Sequence, residues 1–226
     1  GKVIIEPGQV ELDGLTSRHG KMVARLDGTI ALEPTVRSQG MTIQAKEVPI
    51  NKELLDAMPG ELLSLADQFA VGGTCWMNLS QVDFERQAED DAVAGDEPRL
   101  VWYAQGVAGV EDAVIGLGMG NKVLTGKLSG KVGRDETGLA VDAALDMAKI
   151  RIGPRQITDV TGRATKAYTD KVLYIDELIG SVHQGRLTGF AEILMDDSVE
   201  YGVNLSVEDI DLNDLLNAGI TDPNER

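Results

Sequence analysis

Few residues of this 226-residue chain are of types that could do chemistry, and each falls short of a working pattern. Cys75 is the single cysteine, and it would act as a nucleophile only with a base in reach. The two histidines, His19 and His183, stand far from it in sequence and in no catalytic context, so Cys75 reads as a small buried hydrophobe. Gly116, Gly118 and Gly120 suggest a nucleotide loop, but a phosphate cradle needs a helix N-terminus after the glycines. A strand-like run follows instead, and the expectation is a Gly-rich turn or bent strand. Asp209, Asp211 and Asn213 have the opening spacing of a calcium loop, yet its sixth position is Asp214 instead of Gly and its twelfth is Ile220 instead of Glu. A helix cap on an acidic surface fits them better. Asn78 and Asn204 begin glycosylation-type triplets inside strand-like runs and are given no function. Acidic residues abound, but acid-base work needs carboxylates that converge in a cleft. The sequence therefore names no catalytic, cofactor-binding or metal-binding residue, implies no cofactor, and points away from an enzyme.

Charge narrows the partners. The chain holds 21 basic and 37 acidic residues, a net of -16, which repels a phosphate backbone and makes nucleic acid an unlikely ligand. The acid is concentrated near the end, where residues 187–226 carry ten Asp or Glu and one Arg, a local net of -9. One cysteine rules out an internal disulfide and leaves the redox compartment open. No apolar run approaches the roughly 20 residues of a spanning helix, and no basic-then-apolar start marks a signal peptide. The chain opens on Gly1 within a strand-like pattern, as expected of a piece of a longer protein.

The elements that would position any site are strands. Met22, Ala24, Leu26, Ile30 and Leu32 interleave with Lys21, Val23, Arg25 and Asp27. Leu139 to Met147 and Val199 to Val207 alternate in the same way, so each strand has one apolar and one wet face. Alternation broken by turn residues such as Asp27 and Gly28 predicts an antiparallel meander, not a parallel sheet joined by helices. Glycine is 26 of 226 residues against a usual share of about 7%, and many lie within strand patterns, which predicts bends or bulges in a curled sheet. The predicted class is mainly β: a long antiparallel curled sheet, as a groove or sandwich-like, with two short capping helices. One helix is expected from Asn51 through Phe69, interrupted at Pro59 and Gly60, and a second after Asp211 through Leu216. The expected layout is strands and helix over 1–84, an acidic loop at 85–99, a β-repeat over 100–218 and a linker at 219–226.

Two stretches resemble the AsmA-like family. One runs from Ala45 through Val48, Pro49, Ile50, Asn51, Leu54, Leu55, Met58 and Pro59 to Gly72, Gly73 and Thr74, like the family's strand, short helix and Gly-initiated strand. The other runs from Val172 through Ile175, Leu178, Gly180, Gly185, Leu187 and Gly189, then from Tyr201 to Leu216, and is similar to its C-terminal repeat. The resemblance implies a sheet curled into a groove whose apolar concave face shields phospholipid or other acyl-chain lipid. It also implies neighbouring repeats in the same longer chain and a periplasmic location, with inner-membrane attachment through a part outside this sequence and a role in outer-membrane biogenesis. It brings no active-site motif. Alternation reads the same for an open groove and for a sheet folded on itself with a filled core. A structural or adhesive scaffold stacking through sheet edges is the alternative function.

Overall fold

Period-two apolar patterning becomes, in the computed structural model, one antiparallel sheet of twelve strands in strict sequence order. The structure describes residues 1–56, 71–86, 100–116, 121–153, 155–195 and 200–211. The strands are β1 (Lys2–Glu6), β2 (Gln9–His19), β3 (Met22–Ala31), β4 (Arg37–Ile50), β5 (Gly72–Arg86) and β6 (Leu100–Gly116). They continue as β7 (Asn121–Arg134), β8 (Leu139–Ile152), β9 (Arg155–Lys166), β10 (Val172–Val182), β11 (Gly185–Leu194) and β12 (Glu200–Glu208). Each strand pairs with the next, and β1 does not pair with β12, so the sheet is an open meander. The helix α1 (Lys52–Asp56) starts where expected, with the Asn51 side chain accepting from the Leu54 backbone N–H at 3.1 Å. The rest of that predicted helix, the 87–99 part of the acidic loop and the helix after Asp211 lie outside the described residues.

The register carries one apolar face across the whole sheet. Val10 stands opposite Ile30, Ala24 opposite Ala45, Met77 opposite Ala108, Leu128 opposite Leu145, and Ala191 opposite Val203. The buried hydrophobic side chains, from Met41 and Val48 through Leu139 and Met147 to Leu187 and Ala191, all belong to this face. The reverse face holds the ion pairs Arg25–Asp27, Lys127–Asp146 and Arg163–Asp142.

Strict alternation cannot persist over long, twisted strands, and at several places the apolar spacing widens from two residues to three. Leu12 and Leu15, Ala45 and Val48, Val110 and Ala113, and Ile175 and Leu178 each flank a register shift. One of the two intervening residues of each pair is left-handed, Gly14 (φ 59), Glu47 (φ 50), Asp112 (φ 46) and Glu177 (φ 54), and Asp159 (φ 55) is left-handed in the same way between Ile157 and Val160. These are β-bulges, and the extra residue returns the next apolar side chain to the face it would otherwise leave. The first is tied down by Asp27, whose carboxylate accepts from the Gly14 N–H at 2.7 Å and from Arg25 Nε at 2.8 Å. The Arg25 guanidinium and the Gly14 N–H hold the Asp27 carboxyl below the usual range. Where β4 and β5 shift register, buried Ser38 bridges them, donating to the Val82 carbonyl at 3.1 Å and accepting from the Phe84 N–H at 2.7 Å.

Two tests follow from the bulges. A left-handed φ costs an L side chain about 1–2 kcal/mol and a β-branched one more, so Glu177→Gly is expected to raise urea-unfolding stability by about 0.5–1 kcal/mol and Glu177→Val to lower it. Because the folded pKa of Asp27 is depressed, its contribution is present above the ordinary Asp pKa and lost as pH falls through the folded value. Melting temperature measured against pH should fall less on acidification in Asp27→Asn than in the parent chain; equal slopes would assign the bulge no electrostatic support.

Candidate functional site

Strands β6 to β12 curl the apolar face around a groove. Ile115 on β6 and Leu205 on β12 line the same cavity of 350 Å³. Six strand steps of about 4.8 Å would separate them in a flat sheet, which encloses nothing, so this half of the sheet is bent toward its apolar side. Of the 16 lining residues, 14 are aliphatic, the exceptions being Lys122 and Tyr201. Ile150 and Ile157 face each other across β8 and β9, and Ile193 and Tyr201 across β11 and β12. Among the described residues all twelve strands belong to this one sheet, so no separate second sheet covers its apolar face.

A row of small residues crosses the apolar face. Gly106, Gly130, Ala143 and Ala164 stand opposite one another on β6, β7, β8 and β9, and the row ends against Ile175 on β10. On the inside of a curved sheet, side chains converge, and only small ones fit at the tightest line. A methyl group built on Gly130 would lie 2.5 Å from the Ala143 Cα. Leu128 and Leu145 flank the row on one side and Val132 and Val141 on the other.

Two lysines share this face. Lys166, 7% exposed, donates from Nζ to the carbonyls of Leu139 at 2.6 Å and Ala167 at 3.2 Å, closing the strand end around Leu139. Lys122, 3% exposed, sits at the other strand end between Ile115 and Ile152 and lines the groove. The side chains that form the groove were not singled out as a site by sequence reasoning. Its signal was the alternation itself, but grouping residues from seven strands requires the register.

The chemistry-bearing residues of the sequence are not brought together. Cys75 lies half-buried on β5, where burial pushes its thiol up, while His19 ends β2 and His183 lies in the turn between β10 and β11. Gly116 ends β6, residues 117–120 lie outside the described residues, and a strand, β7, follows. Asp209 and Asp211 follow β12, and Asn213 lies outside the described residues; among the described residues no three His, Cys, Asp or Glu side chains cluster as a metal site. Asn78 and Asn204 lie within β5 and β12. No helix among the described residues is long and apolar enough to cross a membrane. Neither a protein-family model, nor a curated protein, nor a solved structure matches the chain.

The crowding at this row is directly testable. Gly130→Val places two methyls against Ala143 and is expected to destabilise the protein by about 1–3 kcal/mol, whereas Gly202→Ala, with open space around its Cβ position, should be near neutral. Denaturant unfolding of both variants checks this, and equal stabilities would remove the crowding argument.

Proposed function

We propose that this chain is a non-enzymatic lipid-binding or lipid-transfer β-groove module. The observation that supports the reading is the largely apolar face of an open sheet, bent into a trough lined almost wholly by aliphatic side chains. Apolar surface left without a protein layer is costly in water and is relieved by an apolar partner. A hydrocarbon chain suits a narrow aliphatic trough because it needs no hydrogen-bonding groups from the walls, and each methylene buried contributes about 0.8 kcal/mol. The expected occupant is a phospholipid or another acyl-chain lipid.

The likeness of residues 45–74 and 172–216 to the AsmA-like pattern supports placing the module in a periplasmic envelope-biogenesis protein. There it would be attached to the inner membrane by a part outside this sequence, and neighbouring repeats of the same chain would prolong the trough. No group is assigned a catalytic role: among the described residues Cys75, His19 and His183 lie on separate elements and no three His, Cys, Asp or Glu side chains cluster as a metal site.

Native mass spectrometry of the purified chain, before and after incubation with phospholipid, tests the reading together with uptake of a fluorescent acyl-chain probe. Bound lipid and saturable uptake are expected. Leu145→Asp, which sets a charge in the groove, should weaken uptake at least about tenfold, equivalent to about 1.4 kcal/mol. Ala144→Asp adds the same charge on the opposite, exposed face of β8 and should leave uptake unchanged. A clean apo mass that stays clean after incubation, with no uptake, would overturn the proposal.

A further inference from the structure

On the face opposite the groove, strands β4, β5 and β6 form a cleft of 550 Å³, within the roughly 300–1,000 Å³ usual of small-ligand sites. Strand parity fixes which side chains reach it. Ala45 and Val48 are buried on the apolar face and stand opposite Met77 and Cys75, so Gln44, Lys46, Thr74, Trp76 and Asn78 project from the reverse. Glu111 stands opposite Thr74, and it lines the cleft together with the left-handed Glu47.

Trp76 is the centre of this cleft, half-buried on the side of the sheet that carries the ion pairs. Its partner on β6 is Gly109, and a methyl group built on that glycine would lie 2.6 Å from the indole Cε2 and Cζ2. The indole therefore occupies the place of the missing side chain, and a glycine is what lets it come down against the strand. Trp76 lines the cleft and Gly109 does not, so the ring lies between the backbone and the open space. Polar groups surround it. Gln44, Lys46, Glu47, Asn78 and Glu111 are exposed, and none of these side chains is engaged in a hydrogen bond or ion pair among the described residues. On the same face Arg25, Lys127 and Arg163 each hold an aspartate.

From this arrangement we infer that the cleft binds a saccharide, with a pyranose ring stacked on Trp76. Three features select that ligand. An indole face is flat, apolar and electron-rich, and a pyranose whose hydroxyls are equatorial presents to it a flat patch of axial C–H bonds. Around the ring the Gln44 and Asn78 amides donate and accept, Lys46 donates, and Glu47 and Glu111 accept, a mixture that suits hydroxyl groups, each of which does both. A quaternary ammonium would use the indole and leave the donors idle. Two carboxylates against one ammonium also favour an uncharged or amino sugar over an acidic one.

Saturation-transfer difference NMR of the chain with cellobiose and with N,N′-diacetylchitobiose tests the assignment, with choline as the cationic comparison. Saturable transfer to the axial ring protons of at least one disaccharide is expected, well above any transfer to choline. Trp76→Ala should weaken binding at least about fivefold. Because that ring is half-buried, a double variant at exposed positions, Gln44→Ala with Asn78→Ala, serves as the second test: it should keep the parent's circular dichroism and weaken binding about threefold to tenfold. Leu145→Asp, in the groove on the other face, should bind the sugar as the parent does, so this proposal and lipid binding can each fail alone. No transfer to either sugar, transfer to choline equal to or above that to the sugars, or binding by the Gln44 and Asn78 double variant equal to the parent's would each overturn the proposal.

Discussion

Everything in this protein depends on keeping apolar side chains on one side of a single sheet. A slip of one residue anywhere in a strand would send its apolar set to the wet face, and the strands are long enough that twist alone would accumulate such errors. The bulges at Gly14, Glu47, Asp112 and Glu177 absorb them. Each spends an unfavourable backbone conformation to hold the parity of the following segment. Left-handed residues at these bulges thereby support a face that spans twelve strands.

Curvature is the second condition, and it follows from residue size more than from hydrophobicity. Gly106, Gly130, Ala143 and Ala164 form a row of small residues across four strands of the apolar face. Replacing them with larger aliphatics would keep the pattern of apolar and polar positions intact while forcing the sheet open. Ile150, Ile157 and Leu178 line the groove itself. The opposite face bends outward and accommodates charged pairs such as Arg163 with Asp142 at 2.9 Å.

Strand identity and the antiparallel meander were legible in the sequence, because alternation over Leu139 to Met147 or Met22 to Ala31 permits little else. The capping role of Asn51 was legible too, as a local side-chain to backbone bond needs only its neighbours. The groove was not, since the row of small residues is assembled from positions 24, 13 and 21 residues apart in the chain, and only hydrogen-bonded register puts them side by side. The bulges lay between. Their signature, an apolar pair three apart around two polar residues as in Ile175, Asp176, Glu177 and Leu178, is present in the sequence, but the same spacing also occurs on helices and so does not identify itself.

Strictly sequential pairing makes the molecule nearly one-dimensional. Each strand is stabilised by the strand before it and the strand after it, in the manner of stacked repeats. Gain or loss of a hairpin would therefore lengthen or shorten the trough by two strand widths without disturbing the strands already in place, so its span is a quantity that duplication can tune in fixed increments. The same locality means that unfolding can begin at either outer strand and advance inward by single strands, leaving the middle of the trough as the last part to open.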